Sequence, residues 1–463
     1  LYVAAGMNSV GVMSSAGIGR ALADWIAHGE PSSDLWEVDI ARVDPVTAKP
    51  AHMEARMEEA VADLFRLHWP YKQPKAGRGQ RVSALHERWA AAGAVFGLTA
   101  GWERGLWYAR DEAEAALPYS TGDQPWWPIA AREAAVMAEG CVLLDLSPFT
   151  KVDMRGGGAL EALNRLTTAQ MDVAKGRAVY TQVLNERGGI EMDVTVTRLG
   201  EDWFHLTSGA ATRARDLAFL RRHMPGVDVR DVTEDFCTIG VMGVDAAQVL
   251  AEALPGFDAA SGRLGDVREV FFDGALCRAT RLSFVGEFGW ELTLPNSHAG
   301  SLFDLLNGAG ARPMGHYALD GCRIEKGFRH WGHDVGPDIT PLEAGLGFTI
   351  DWTKDFVGKD ALLHQRETGP GKRLVLMQVE GDALMLHDEP IFEDGRFIGL
   401  TTSGARGPRT GLNLAFGFID IAAGETLDQT CARAFTVRVA GQDFTARPLH
   451  RPPFDPAGER MKA

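Results

Sequence analysis

Long apolar runs, paired cysteines and an excess of positive charge are all missing from this sequence. No apolar run reaches the length of about 18 residues that a membrane-spanning helix needs, so we expect no membrane segment. Lys and Arg number 47 against 62 Asp and Glu, and the net charge of −15 argues against nucleic acid as a partner. The five cysteines form no CxxC pair and no Cys/His group with metal-ligand spacing, which favours reduced thiols in an intracellular protein.

The start of the chain lacks a basic segment followed by an apolar stretch, so no signal peptide is predicted. We therefore expect a cytoplasmic protein, or a protein of the mitochondrial matrix if it is eukaryotic. The chain opens on the apolar residues Leu1 to Ala5 without an initiator Met. We expect it to be the C-terminal part of a longer protein.

The chain length of 463 residues predicts about three domains, and 45% hydrophobic with 24% charged residues predicts globular ones. Strand and helix patterns are mixed after residue 131, which predicts the α+β class with mixed or antiparallel sheets. Short strands separated by turn dipeptides at 372–450 predict a small β-barrel or sandwich.

The first 29 residues have the pattern of a strand, a loop and a helix. We predict a strand at 1–5, a loop at 6–16 and a helix that opens at Gly17-Ile18-Gly19 and ends at Gly29. Glycines at a helix N-terminus let backbone N–H groups face an electronegative ligand atom, so Gly17 and Gly19 are candidate cofactor-binding positions. A tight strand-to-helix turn without a ligand is the simpler alternative.

A glycine pair at 188–189 turns the chain into a strand in which Val and Thr alternate, and Asp193 is expected where this strand begins. A carboxylate at the mouth of a strand, beside a backbone that a ligand can approach closely, is well placed for acid or base chemistry. The alternative is that Asp193 caps the turn.

A second carboxylate stands in the segment 284–292, where two glycines interrupt a strand. Glu291 lies between Trp290 and Leu292 and is expected to face the opposite way. A carboxylate that faces inward needs hydrogen-bond donors, which adjacent N–H groups of a pterin would supply. The alternative is an exposed Glu on the solvent face of an edge strand.

A third segment, 317–334, combines a helical turn with a cluster of charged residues and histidines. His330 and His333 are three residues apart and lack further ligands, so we predict no metal site. Salt bridges between the helix and the following loop, which contains Asp334, are the favoured interpretation.

Together these segments resemble the glycine-cleavage T-protein (aminomethyltransferase) family. Residues 185–197 resemble its first signature strand, 286–291 its second signature and 342–347 its third. The barrel segment at 372–450 resembles its C-terminal domain. Residues 93–109 resemble the bridging domain of the dimethylglycine and sarcosine dehydrogenases.

The resemblance covers essentially the whole chain and implies four parts. These are the end of a FAD-binding oxidoreductase domain at 1–43, a bridging domain at 44–125, a folate-binding domain at 126–368 and a β-barrel at 369–463.

In this family a flavin domain oxidises an N-methyl amine, and the folate domain captures the one-carbon unit on tetrahydrofolate. The resemblance implies Asp193 as the catalytic residue and Glu291 as the residue that holds the pterin. Further cofactor-binding positions are Phe284, Tyr180 and Arg323. Phe284 replaces the family's pterin-side tyrosine, and Leu319 occupies the position of an arginine that assists folate.

The implied partners are an N-methyl amine, an electron acceptor and a flavin half supplied in cis or in trans, with FAD as the cofactor of the full-length protein. Two alternatives to a dehydrogenase-linked transferase stay open. One is a stand-alone folate-dependent demethylase or aminomethyltransferase, and the other is a folate-binding scaffold without catalysis.

Overall fold

The computed structural model of the protein describes residues 2–7, 10–29, 31, 33, 35, 38–40, 43 and 45–462. In chain order the helices are α1 (Gly11–His28), α2 (Pro50–Asp63), α3 (His86–Ala91), α4 (Glu112–Ala115), α5 (Trp127–Glu139), α6 (Ala159–Leu166), α7 (Arg213–His223), α8 (Ala246–Ala253), α9 (Asn296–Gly308), α10 (His316–Glu325), α11 (Lys359–Thr368), α12 (Leu427–Cys431) and α13 (Glu459–Lys462). The strands are β1 (Ala94–Thr99), β2 (Trp102–Tyr108), β3 (Val142–Asp145), β4 (Thr150–Arg155), β5 (Arg177–Leu184), β6 (Ile190–Arg198), β7 (Trp203–Ser208), β8 (Asp228–Asp231), β9 (Phe236–Met242), β10 (Val267–Phe272), β11 (Ala275–Thr280), β12 (Gly289–Pro295), β13 (Arg312–Pro313), β14 (Lys372–Val379), β15 (Pro390–Glu393), β16 (Arg396–Arg406), β17 (Asn413–Asp420), β18 (Phe435–Val439) and β19 (Gln442–Pro448).

The N-terminal segment differs from its prediction. Residues 2–7 form no strand, Leu1 lies outside the described residues, and α1 already begins at Gly11. Gly17 and Gly19 therefore lie inside a helix, and the predicted ligand-facing turn at these glycines is wrong. The physical reason is that a helix makes its hydrogen bonds internally, whereas a strand at 2–5 needs a neighbour to pair with. The predicted helix end is confirmed, because Gly29 adopts the left-handed conformation at φ 83°.

Three sheet assemblies and one hairpin organise the rest of the described chain. Strands β1 and β2 form the hairpin, and the six-stranded sheet has the order β10-β11-β12-β9-β3-β13. The five-stranded sheet has the order β5-β6-β7-β4-β8, and all its pairs are antiparallel. The last six strands close into a barrel in the order β14-β17-β16-β15-β18-β19. The predicted α+β class and the predicted C-terminal barrel are thus confirmed.

The faces of the two open sheets that carry the candidate carboxylates meet. On β6, Val194 is buried in the core of the five-stranded sheet, and the period of two turns Asp193 to the other face. On β12, Trp290 is buried in the core of the six-stranded sheet, and Glu291 faces the other way, as predicted. Lys151 shares the Asp193 face of its sheet and interacts electrostatically with Glu291. The two carboxylates therefore face the same space between the sheets.

Buried ion pairs join the barrel to the rest of the chain. Arg409, in the connection between β16 and β17, donates hydrogen bonds to Glu287 at 3.0 Å and to Glu325. Glu287 is 1% exposed and Glu325 is fully buried, so water does not replace Arg409 as the hydrogen-bond partner of either carboxylate. Such pairs fix the position of the barrel but are sensitive to the loss of either partner.

Arg323 and Asp334 form the helix-to-loop ion pair that the sequence suggested. The Arg323 guanidinium donates to Asp334 at 2.7 Å and to Asp320 at 2.8 Å. Asp334 also accepts hydrogen bonds from Thr402 at 2.6 Å and from Ser403 at 2.7 Å, both on β16. Arg323 is buried, and all of its described partners are protein groups. These hydrogen bonds make Arg323 a support of the loop, and its predicted cofactor-binding role stays a prediction.

Among the described residues, no helix combines the length and the apolar character that crossing a bilayer requires.

Candidate active site

Asp193 lies in the middle of a strand, not at its start as predicted, because β6 begins three residues earlier at Ile190. The turn before β6 is capped by Asn185, whose side-chain oxygen accepts the backbone N–H groups of Arg187 and Gly189 at 3.0 Å each. The alternative that Asp193 caps the turn is therefore wrong. Gly189 is required here, because a Cβ atom would lie 1.7 Å from the carbonyl oxygen of Pro337.

A chain of hydrogen bonds orients the Asp193 carboxylate. Gln182, directly opposite on β5, donates from its amide nitrogen to Asp193 at 2.9 Å. The amide oxygen of the same Gln182 lies within hydrogen-bond distance of the Thr349 hydroxyl, which also lies 2.7 Å from the carbonyl oxygen of Leu346. Thr349 belongs to a short turn directly after the third signature segment, 342–347. The third signature segment therefore lies next to a residue that contacts Gln182, although the sequence analysis identified neither Gln182 nor Thr349.

Burial raises the pKa of Asp193 from 3.8 to about 6. Hydrogen bonds from Gln182 and Tyr180 and the positive charge of Arg329 act in the opposite direction and stabilise the ionised form. Tyr180 is 37% exposed and Asp193 is half-buried, so this carboxylate is not sealed from solvent. A carboxyl group with a pKa near the working pH is suited to accept and release a proton.

Glu291 has a different environment. Burial raises its pKa to about 7, and the charge of Lys151 opposes this shift. The Lys151 ammonium is itself buried, donates to the carbonyls of Ser147 at 2.8 Å and Phe149 at 3.0 Å, and has its pKa lowered to about 8 by burial. Within the described part of the chain, no donor makes a hydrogen bond to the Glu291 carboxylate. A desolvated acceptor without donors is suited to a ligand that brings its own N–H groups.

An aromatic pair includes the residue that directly precedes Arg329 in the chain. Phe284 stacks on Phe328 with ring centroids 5.8 Å apart and an interplanar angle of 19°. Phe328 directly precedes Arg329, whose charge acts on Asp193, so the stacked pair belongs to the same region. Phe348 is 77% exposed and directly precedes Thr349.

The remaining predicted positions do not converge on this site. Leu319 is buried in the core between α5 and α10, so no polar side chain replaces the arginine expected at its position. Among the described residues, no three His, Cys, Asp or Glu side chains are arranged to hold a metal ion.

The raised pKa of Asp193 predicts a pH-dependent stability difference for Asp193→Asn. Because the folded-state pKa exceeds the unfolded value, the favourable contribution of the protonated carboxyl is present at about pH 4 and is lost as the pH rises through about 6. The pKa shift of about 2 units corresponds to about 3 kcal/mol. This is the most by which Asp193→Asn should raise the free energy of unfolding at about pH 8. Urea unfolding of both proteins at the two pH values measures this. Equal differences at both pH values would show that Asp193 is not desolvated in the folded state.

Comparison with known proteins first defines the class. Family models match residues 85–354 (GCVT N-terminal domain), residues 28–83 (FAD dependent oxidoreductase central domain) and residues 372–455 (glycine cleavage T-protein C-terminal barrel domain). The crystal structure of the glycine cleavage system aminomethyltransferase T from Bartonella henselae superposes with a TM-score of 0.70 at 27% identity, and the match covers 81% of this chain and 98% of that one. The fold is that of an aminomethyltransferase, as predicted.

Longer relatives that align with the whole chain define the family more closely. The 4-methylaminobutanoate oxidase (formaldehyde-forming) of Paenarthrobacter nicotinovorans is 39% identical over 100% of this chain and 57% of its own length. Mitochondrial sarcosine dehydrogenase of Mus musculus is 30% identical over 100% of this chain and 56% of its own length. The chain belongs to the dimethylglycine and sarcosine dehydrogenase-like family whose members carry a glycine cleavage T-protein domain. It spans a little over half the length of these relatives.

Proposed function

We propose that this chain performs the tetrahydrofolate-dependent one-carbon transfer of an FAD-linked N-methyl amine dehydrogenase. The carbon arrives as an iminium ion or as formaldehyde and leaves as 5,10-methylenetetrahydrofolate. From the iminium, two C–N bonds form to N5 and N10 of tetrahydrofolate, the bond to the amine breaks, and the free amine and one proton are released. From formaldehyde, the same two bonds form and water is released. The names of the relatives, an oxidase that forms formaldehyde and a sarcosine dehydrogenase, support this chemistry.

The observation that carries the proposal is the pairing of two unlike carboxylates across one space. Asp193 is oriented by Gln182 and interacts with Arg329, whereas Glu291 has no donor among the described residues. Two carboxylates in different environments can perform different tasks in one site. A pterin, with a planar ring and adjacent N–H groups, fits an unsatisfied carboxylate beside an aromatic pair such as Phe284 and Phe328.

Each residue then has a defined task. Asp193 accepts a proton from a folate nitrogen as the new C–N bond forms, and its charge stabilises the positive charge that develops there. Glu291 accepts hydrogen bonds from the pterin. Tyr180 shares a hydrogen bond with Asp193 and is partly exposed beside it, and Phe284 supplies an aromatic surface without the hydroxyl of the family's tyrosine.

The flavin step depends on groups that this chain does not provide at the predicted position. Gly17 and Gly19 lie within α1, where helix N–H groups are used internally, so they do not form a cradle for FAD. We infer that a flavin half, in cis or in trans, oxidises an N-methyl amine and passes electrons to an acceptor. The cytoplasm or the mitochondrial matrix would suit this activity, and the division of the chain at residues 43, 125 and 368 stays a prediction.

Binding of tetrahydrofolate to Glu291→Gln tests the site. The substitution removes the charge and introduces a donor against the pterin N–H groups, so we expect binding about 10- to 100-fold weaker than in the wild type. Isothermal titration calorimetry measures the change, and Glu186→Gln, at an exposed turn position, is the matched control. Equal affinity in both variants would remove Glu291 from the site. If the wild type binds tetrahydrofolate but transfers no one-carbon unit, the alternative of a folate-binding scaffold without catalysis is favoured.

A further inference from the structure

Lys151 is a buried cation whose described partners are two backbone carbonyls. It lies on β4, is 2% exposed, and donates from its ammonium to the carbonyl oxygens of Ser147 at 2.8 Å and Phe149 at 3.0 Å. An ammonium has three N–H donors, so these two carbonyls leave one donor over. Among the described residues, no carboxylate forms an ion pair with Lys151. Because the charge is buried, solvent screens it weakly, and it acts on nearby carboxylates without touching them.

The hydrogen bonds of Ser147 tie this ammonium to the six-stranded sheet that carries Glu291. The Ser147 hydroxyl accepts the backbone N–H of Thr238 on β9 at 3.3 Å. Strand β9 pairs with β12, where Thr293 lies opposite Thr238 and the two hydroxyls are 3.0 Å apart. Thr293 is two residues from Glu291, so the strand period of two puts both side chains on one face of β12. The ammonium of Lys151 and the carboxylate of Glu291 therefore lie in the same space between the two sheets.

Asp145 and Glu291 both lie within electrostatic range of Lys151, but they differ in their partners. Asp145, at the end of β3, accepts hydrogen bonds from the Ser83 hydroxyl at 2.7 Å and from the backbone N–H of Ser147 at 3.0 Å. Glu291 accepts no hydrogen bond from any described residue, and the charge of Lys151 alone opposes the effect of burial on its pKa. The ionised form of Glu291 therefore depends on Lys151 more than that of Asp145 does.

Other titratable groups around Lys151 do not replace its charge. The thiol of Cys237, on β9, is neutral because burial raises its pKa to about 12. Arg213, at the start of α7, is paired with Glu234 at 2.8 Å. Burial lowers the pKa of Lys151 to about 8 and raises that of Glu291 to about 7. At neutral pH the lysine is therefore charged, whereas the glutamic acid is close to its midpoint of ionisation.

We propose that Lys151 is a positioning residue for folate, because its charge holds Glu291 in the anionic form that accepts the N–H groups of the pterin. This inference rests on the proposed function and adds to it the residue that sets the charge of the pterin acceptor. An ionised carboxylate accepts two N–H donors side by side, whereas protonation turns one of its oxygens into a donor. Lys151 acts through Glu291 and does not need to touch the ligand.

The pH dependence of tetrahydrofolate binding tests this role. In the wild type the affinity should rise as the pH increases through about 7, because binding requires ionised Glu291. Lys151→Gln removes the charge but keeps donors for the two carbonyls, and we expect it to move the midpoint of this rise up by about 1 pH unit. The affinity at about pH 6.5 should then fall about 5- to 10-fold, whereas the affinity at about pH 9 should stay within about twofold of the wild type. Calorimetric titration across this pH range measures both effects.

Two matched variants separate the charge of Lys151 from its structural contribution. Lys354→Gln removes another lysine whose ammonium is held by two carbonyls, those of Asn164 and Thr167, and should leave the midpoint at the wild-type pH. Lys151→Arg keeps the charge and should restore a midpoint near that of the wild type. A loss of affinity in Lys151→Gln that is equal at every pH, or an unchanged pH profile, would overturn the role of Lys151.

Three further results are decisive. If Lys151→Gln does not fold, Lys151→Met is titrated in its place and judged in the same way. Adding Lys151→Gln to Glu291→Gln should cause no further loss of affinity, and an additional loss would overturn the proposal, because Lys151 would then act by another route. If the wild type binds no tetrahydrofolate at any pH, the proposed function falls and this inference with it, whereas an unshifted midpoint beside normal wild-type binding removes Lys151 alone.

Discussion

Replacing Asp193 by alanine is expected to slow the capture of formaldehyde by tetrahydrofolate about 100- to 10,000-fold, measured above the uncatalysed reaction. The reason is that Asp193 is the carboxylate held in place by Gln182, with Arg329 favouring its ionised form. The fold should persist, because the neighbouring core residues of β6 face the other side of the sheet. Chromatographic quantification of 5,10-methylenetetrahydrofolate measures the rate.

The matched control is Asp202→Ala, which removes an exposed carboxylate from the turn after β6. Its transfer rate should equal that of the wild type. Wild-type transfer should also decline as the pH falls below about 6, because protonation of Asp193 removes the base. An Asp193→Ala protein that transfers at the wild-type rate would remove this residue from the mechanism.

Replacing Arg409 by methionine is expected to lower the free energy of unfolding by about 3 to 5 kcal/mol. The variant leaves Glu287 and Glu325 buried without their shared cation. Glu287 keeps Arg460 as a partner and Glu325 keeps Thr410, so the lower end of this range is expected. Urea unfolding followed by fluorescence measures the difference.

The control for this experiment is Arg438→Met, which breaks the exposed pair between Arg438 and Asp443, with side chains 45% and 51% exposed. Exposed pairs contribute about 1 kcal/mol or less, so this variant should unfold almost like the wild type. The double variant Arg409→Met, Glu325→Gln should recover part of the loss, because it removes one of the unpaired charges. If Arg409→Met and Arg438→Met lower the free energy of unfolding by similar amounts, burial of the Arg409 ion pairs does not increase their contribution to stability.

The orientation of the two carboxylates could be predicted because strand alternation is a local property. Val194 and Trp290 mark the buried faces in the sequence itself, and this fixes the opposite faces for Asp193 and Glu291. The predicted position of Asp193 at the start of its strand was wrong, because Asn185 closes the turn and the strand already begins at Ile190, directly after the glycine pair.

The supports of the site could not be predicted in the same way. Gln182 and Thr349 are 167 positions apart in the chain, and only the packed structure brings them together. The turn predicted at Gly17 and Gly19 was wrong because a glycine pattern does not state whether the preceding residues have a strand to pair with. The interior position of Arg323 likewise depends on Asp334, which reaches it from a loop.

The attachment of the barrel has a consequence for how the protein can come apart. Asp334 accepts hydroxyl hydrogen bonds from two consecutive residues of β16, and Arg409 contributes its charge to two acids outside the barrel. Releasing the barrel would therefore break the Arg409 ion pairs and the hydroxyl hydrogen bonds of Asp334 at once, at a cost larger than that of any single contact. We therefore expect the barrel and the sheets to which these contacts join it to unfold as one cooperative unit.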